Sequence, residues 1–236
     1  MLLSACGEQR REPELNIIDD KYRNWYEVFV YSYYDSDGDR IGDLTGLAEK
    51  LDYISDLGMN GIWLMPVMPS PSYHKYDVTD YYDIDPQYGT LENFSAMLEK
   101  AHSLGIDVII DLVLNHTSNE HPWFISAKSG EDSEYRDWYN WSDSPQDGYA
   151  KAGDGYYECR FVNTMPDLNL DNPEVRAEIK NILRFWLEDM GVDGFRLDAV
   201  TSYYTGNVEK NKEFITWLGD AARAISPDCY IVGEAW

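Results

Sequence analysis

Three apolar runs of this chain end in side chains that can do chemistry. Residues 106–114 (IDVIIDLVL) lead into Asn115 and His116. Residues 194–197 carry Arg196 and lead into Asp198, as GFRLDA. Residues 229–232 lead into Gly233 and Glu234, as CYIVGEA. Short apolar runs separated by helix-like stretches read as buried parallel strands. A parallel α/β barrel gathers its catalytic groups at the C-terminal ends of its strands. His116, Arg196, Asp198 and Glu234 are therefore expected to share one pocket. Two carboxylates in one pocket suit acid/base or nucleophilic chemistry, and cleavage of glycosidic bonds is the leading option. Arg196 lies two residues before Asp198, so both side chains leave the strand on one face. Its fixed charge should lower the Asp198 pKa, as suits a nucleophile. Glu234 follows an apolar run, and partial desolvation there should favour its protonated form, as suits a proton donor. The competing reading is a buried Arg–Asp ion pair beside an ordinary strand-end glutamate.

A second group of polar residues lies near the start. Asp35, Asp37, Asp39 and Asp43 form a carboxylate ladder with Ile41 inside it. Acids at loop positions 1, 3, 5 and 9, with the Ile41 carbonyl at position 7, can wrap a hard cation of calcium size. An EF-hand would need glutamate at position 12, where this chain has Gly46. The alternative is a solvated acidic turn. Between the second strand and the next helix, His74-Lys75-Tyr76-Asp77 is a polar loop that could line the pocket.

The elements that must position these residues alternate. Residues 25–31 read as strand one. Leu47, Leu51, Ile54 and Leu57 recur at helical spacing and stop at Gly58. Residues 61–66 are the second strand, 91–104 a helix and 106–114 the third strand. Residues 116–171 are rich in Trp, Tyr, Gly, Ser and Asp. A structureless loop of that length is improbable in a compact domain, so a small inserted subdomain over the pocket is expected. Asn172-Pro173 opens a helix through Met190, residues 193–197 are the fourth strand, 209–225 a helix, and the fifth strand ends at Glu234. The expectation is α/β: a (β/α)8 TIM barrel interrupted after strand three. It divides as 1–22, a signal remnant and tether; 23–115, strands one to three; 116–171, the insertion; and 172–236, strands four and five. A closed barrel needs eight strands, so the 236 residues are expected to be a piece of a longer protein.

Composition bounds the partners. The chain is 44% apolar and 14% aromatic, a globular composition. Forty-three acids against 19 bases give a net charge of −24, which repels nucleic acid and anionic membranes. The 19 tyrosines and 8 tryptophans suit stacking on sugar faces, although most should be core or rim residues. Leu3-Ser4-Ala5-Cys6 after an apolar start looks like the end of a bacterial lipoprotein signal, with Cys6 the lipidated residue and residues 7–22 a tether. The protein is then expected outside the cytoplasm, on the membrane only through that anchor, and monomeric. Cys159 and Cys229 fall at opposite ends of the barrel, too far apart to be paired.

From about Tyr26 onward the chain resembles glycoside hydrolase family 13, the α-amylase family. The resemblance rests on DLVLNH (111–116), MPDLN (165–169), GFRLDA (194–199) and GEAW (233–236), in the family's order and spacing. It implies Asp198 as nucleophile and Glu234 as general acid/base, with Arg196 hydrogen-bonded to the nucleophile. It implies His116 and His74 on hydroxyls of the sugar at the cleavage point and Tyr76 stacked beneath it. Loops like 35–43 bind calcium in oligo-1,6-glucosidases and related members, which makes Ca²⁺ the implied ion. The implied substrate is an α-glucan, cleaved at α-1,4 bonds with retention. Thr201-Ser202 stand where many α-amylases carry Lys-His, which leaves open an α-glucosidase, oligo-1,6-glucosidase or neopullulanase-like activity. The family's third carboxylate would lie beyond Trp236. The 236 residues alone are therefore expected to be inactive, or to bind glycan without turnover.

Overall fold

The computed structural model describes residues 23–235. Cys6, expected as the lipid anchor, the tether 7–22 and Trp236 lie outside the described residues.

Five parallel strands form one sheet, in the order β1 (Trp25–Val28), β2 (Gly61–Leu64), β3 (Asp107–Leu112), β7 (Gly194–Leu197) and β8 (Tyr230–Gly233). Helices α2 (Leu44–Asp56), α3 (Leu91–Ser103), α5 (Pro173–Arg184) and α6 (Val208–Ile225) alternate with them. This is the β/α repeat of the TIM barrel. Each helix starts where a side chain satisfies its free N–H groups. Asp43 accepts from the Gly46 N–H, Thr90 and Asn93 form a reciprocal capping box, and Asn172 and Asn207 cap α5 and α6. Leu47, Leu51 and Ile54 are buried along one face of α2 with Leu44, as their spacing predicts, whereas Leu57 falls just past the helix end and is exposed.

Four boundaries differ from expectation by two residues or more; one is the second strand, which ends at Leu64. The first strand stops at Val28, because residues Val30–Tyr33 turn into the short helix α1, which aims the acidic loop outward. The helix expected through Met190 ends at Arg184 and continues as a wider π-helical turn, Phe185–Met190. That turn seats Trp186 fully in the core, where its Nε1–H donates to the Tyr81 carbonyl at 2.8 Å. The third strand is shorter than the apolar run 106–114. Val113 and Leu114 remain buried but leave the ladder, because the chain there is already turning into the insertion.

The insertion holds α4 (Pro122–Ala127) and an antiparallel sheet of β4 (Trp141–Ser142), β5 (Tyr149–Ala152) and β6 (Gly155–Glu158), in the order β4-β6-β5. It shares one core with the barrel, since Trp138, Tyr139, Tyr157 and Leu168 join the same buried cluster as Leu112 and Phe195. The bridge His116–Asp167 returns its far end to the end of β3, and Tyr139–Leu168 ties two parts of the insertion together. Cys159 and Cys229 are both free and buried. Among the described residues no helix is long and apolar enough to cross a membrane.

Candidate active site

Strand register puts the site together. Asp111 pairs with Arg196 across β3 and β7, and Arg196 with Val232 across β7 and β8. Leu197 pairs with Gly233, so the next residue on each strand, Asp198 and Glu234, emerge side by side. Neighbouring strands are about 4.8 Å apart, which sets the separation of the two residues before any side chain moves. One guanidinium then serves three carboxyl groups. Arg196 Nη1 lies 2.9 Å from both oxygens of Asp111 and 2.9 Å from Asp198 Oδ1, and Nη2 lies 2.7 Å from Glu234 Oε1.

Asp111 was not among the expected site residues. It is fully buried and also accepts from the Tyr76 hydroxyl at 3.0 Å and from Trp63 Nε1–H at 3.3 Å. A signal was present, because a lone acid inside the apolar run IDVIIDLVL needs a buried cation. Only the register shows that the cation is Arg196.

Arg196 acts to lower the Asp198 pKa, as expected, but its charge does not prevail. Burial outweighs the arginine, and with Glu234 opposing too, the Asp198 carboxyl is pushed up to about 6. Asp111 is pushed up to about 7, again by burial first, with Arg196 opposing and Asp198 adding to the rise. The physical reason is stoichiometric: one cation cannot neutralise three carboxylates in a site from which water is largely excluded. The Glu234 side chain is 38% exposed, and its Oε1 lies 2.7 Å from Arg196 Nη2.

The loop after β2 brings His74 and Tyr76 to the same place. They line a cleft of ≈540 Å³ together with His116, Phe161, Asp198 and Glu234. His74 Nδ1 accepts from the Tyr76 backbone N–H at 3.1 Å and lies 3.1 Å from the Ser72 hydroxyl. His116 also reaches the cleft but is 2% exposed, and both its ring nitrogens already have partners. Nε2 lies 3.1 Å from the Tyr76 carbonyl and Nδ1 lies 3.3 Å from the Asn115 amide. Burial pushes its pKa down to about 4, so the ring is neutral at pH 7. A sugar hydroxyl at Nε2 would have to share that nitrogen with the Tyr76 carbonyl. Phe161, from the insertion, packs edge-on to His116 and forms one wall of the mouth.

The acidic loop is separate from this cleft. Asp35, Asp37 and Asp39 each present a carboxylate oxygen within 4.8 Å of the others. The loop is preshaped by its own backbone: Asp35 accepts from Gly38 and Arg40, Asp37 from Asp39, and Asp39 from Ile41. These N–H bonds lower the Asp35 pKa. Asp43 stands apart from the trio. It caps α2 through Gly46 and accepts from the backbone and hydroxyl of Ser36. Three convergent anionic oxygens are the donor chemistry of a hard divalent cation.

Comparison with known proteins places this geometry among relatives. The family model "Alpha amylase, catalytic domain" matches residues 27–236. Alpha-amylase 3 of Dictyoglomus thermophilum is 53% identical over 224 residues, covering 91% of this chain and 44% of that protein. Oligo-1,6-glucosidase of Parageobacillus thermoglucosidasius is 43% identical over 191 residues, covering 74% of this chain and 34% of that protein. The solved structure of Eubacterium rectale Amy13B superposes with a TM-score of 0.91 at 54% identity, covering 94% of this chain and 45% of that one. The chain thus spans less than half the length of these relatives.

Proposed function

The chain belongs to the α-amylase catalytic-domain family of glycoside hydrolases, and on that premise we propose that the whole protein is a retaining α-glucan hydrolase. Its substrates are the α-1,4-glucosidic bonds of starch or maltooligosaccharides, cleaved by double displacement. The observation that carries the reading is the pairing of Asp198 with Glu234 at the ends of adjacent strands around Arg196. Retention needs two carboxyls roughly 5–5.5 Å apart, close to the spacing of neighbouring strands.

In this mechanism Asp198, ionised above about pH 6, attacks the anomeric carbon from the face opposite the leaving group. Glu234 gives its proton to the glycosidic oxygen as the C–O bond breaks. The aglycone leaves, and a β-glycosyl ester on Asp198 remains. Glu234, now a carboxylate, takes a proton from water, which attacks the same carbon and frees Asp198 with net retention. Arg196 holds both carboxyls in place and carries positive charge throughout. Tyr76 supplies the ring under the sugar, with its hydroxyl tied to Asp111. A finer alternative is an α-glucosidase or oligo-1,6-glucosidase acting on short chain ends. Thr201 and Ser202, in place of Lys-His beyond the nucleophile, favour a leaving-group site unlike that of many α-amylases.

Two proposals accompany this one. Asp35, Asp37 and Asp39 would hold Ca²⁺, joined by Asp43 and the Ile41 carbonyl if the loop closes on the ion; bound there, the ion would brace the loop after β1. Cys6 in Leu3-Ser4-Ala5-Cys6 would carry the lipid that keeps the enzyme on the outer face of a bacterial membrane.

The two carboxylate roles fail differently. With α-glucosyl fluoride, whose leaving group needs no proton, Glu234→Ala in the whole protein should still accumulate the glycosyl ester. Asp198→Ala should not. Mass spectrometry of the digested Glu234→Ala protein should place the sugar on the peptide containing Asp198; an Asp198→Ala protein loaded on Glu234 instead would reverse the assignment. Azide should rescue Glu234→Ala as the α-glycosyl azide, by displacing Asp198 from the β-glycosyl ester with inversion at that carbon, and a β-azide would refute double displacement.

A further inference from the structure

Between His74 and Tyr76, which face the cleft, sits a lysine that does not line it. Lys75 is 2% exposed and has a left-handed backbone, φ 66, which non-glycine residues seldom adopt. Its Nζ lies 2.8 Å from Asp85 Oδ2 and 2.6 Å from Gln87 Oε1, and 5.4 Å from the centre of the Tyr88 ring. Asp85 is itself 3% exposed. Its Oδ2 accepts from the Ser70 N–H, its Oδ1 from the Gln87 N–H, and its own N–H donates to the Val67 carbonyl. The ion pair therefore bolts the outgoing arm of the loop, at Val67 and Ser70, to its returning arm, at Asp85 and Gln87.

A buried ion pair is a weak source of stability, because apolar residues of equal volume do as well or better. What this one does is directional. With Lys75 drawn inward and its backbone left-handed, its two neighbours both come to line the cleft. Tyr76 is then held at two points: its hydroxyl by Asp111 at 3.0 Å, and its backbone by the anchored Lys75 beside it. His74 is fixed against the Tyr76 N–H on the same side.

We infer that the buried Lys75–Asp85 pair is a positioning device that sets the ring of Tyr76 at the depth and tilt a glucosyl unit requires. The inference rests on the glycosidase reading above. Lys75 touches no substrate and acts through Tyr76.

The test is a double-mutant cycle on the whole protein with a 4-nitrophenyl α-maltooligosaccharide. Lys75→Gly accepts the left-handed backbone without strain; it removes the anchor and leaves Asp85 a buried carboxyl without its cation. At a temperature where circular dichroism shows both proteins folded, its kcat/KM should fall by up to about 10²-fold, the scale of a displaced positioning group. Lys75→Gly/Tyr76→Ala should be no worse than Tyr76→Ala, because coupled residues are not additive. A Lys75→Gly enzyme within twofold of wild type, or losses that multiply in the double variant, would overturn the inference. Lys75→Met fills the same space and is read in the same way if the glycine variant unfolds; unfolding of both would make the pair a stability element and overturn the inference. A crystal structure of the folded variant gives a readout independent of turnover. The Tyr76 hydroxyl should be withdrawn from Asp111, and its retention near 3.0 Å would also overturn the proposal. A wild-type protein that turns over no α-glucoside would refute the functional reading and leave that structural readout to decide this one.

Discussion

Replacing Arg196 by methionine removes the one cation of the cluster while keeping a side chain of similar reach. Asp111 and Asp198 are then buried carboxyls without a counter-charge, and their pKa values must rise further, because Arg196 lowers both. In the wild type the folded-state values, about 7 for Asp111 and about 6 for Asp198, already exceed the roughly 3.9 of an unfolded aspartate. The folded state therefore binds these protons more tightly than the unfolded one, and the two groups cost stability as pH rises through the folded values. At pH 8 the wild type has both ionised and stabilised by Arg196, whereas the variant keeps both protons or suffers for losing them. At pH 5.5 both proteins carry the protons, and this contribution nearly vanishes. One pH unit of displacement is about 1.4 kcal/mol. From pH 5.5 to pH 8 the destabilisation by Arg196→Met should thus grow by up to about 4 kcal/mol, in line with the ~3–5 kcal/mol seen when one partner of a buried pair is removed. Urea denaturation of both proteins at the two pH values measures it. The acid limb of kcat/KM, expected near pH 6 in the wild type, should move upward in the variant. A destabilisation equal at both pH values, or larger at 5.5, would falsify the claim that buried, under-neutralised carboxyls dominate this site.

Other consequences follow from the same geometry. Asp111→Asn removes one negative charge beside Arg196, so the acid limb of kcat/KM should move below its wild-type position; an unmoved limb would mean that Asp111 and Asp198 do not titrate as coupled groups. Asp37→Ala should abolish the calcium-dependent part of the melting temperature, since an ion bound only by the folded state stabilises by mass action; a wild type whose melting temperature ignores chelator has no structural calcium there. Gly194→Ala should destabilise by about 1–3 kcal/mol or more, because a Cβ at Gly194 would lie 1.8 Å from the Tyr230 carbonyl and force β7 from β8. A melting temperature within a degree of wild type would show that this strand pair has slack.

Much of the architecture was legible along the chain, for a physical reason. Parallel strands buried on both faces must be apolar, so a polar residue at the end of such a run stands out. His116, Arg196, Asp198 and Glu234 were found in that way, whereas the ladder Asp35, Asp37, Asp39 and Asp43 stood out by the spacing of its acids. The helices announced themselves through apolar spacing and, for α5, through Asn172-Pro173, while the caps Asp43, Thr90 and Asn207 emerged from the fold. These signals are local, fixed by residues a few positions apart.

What only the tertiary structure decided depends on neighbours far apart in sequence. Asp111 becomes the partner of Arg196 because β3 pairs with β7 across the whole insertion. The Asp198 pKa goes up, not down, because desolvation sums over every group around a carboxyl, whereas the sequence shows only the arginine two residues away. Asp43, expected beside the trio in the ladder, also accepts from Ser36 and from the start of α2. Lys75 read as one residue of a polar loop, and folding buries it against Asp85, with His74 and Tyr76 on the cleft. Residue type and spacing determine which groups can reach a strand end. Register, burial and the sharing of one cation among three anions determine what those groups can then do.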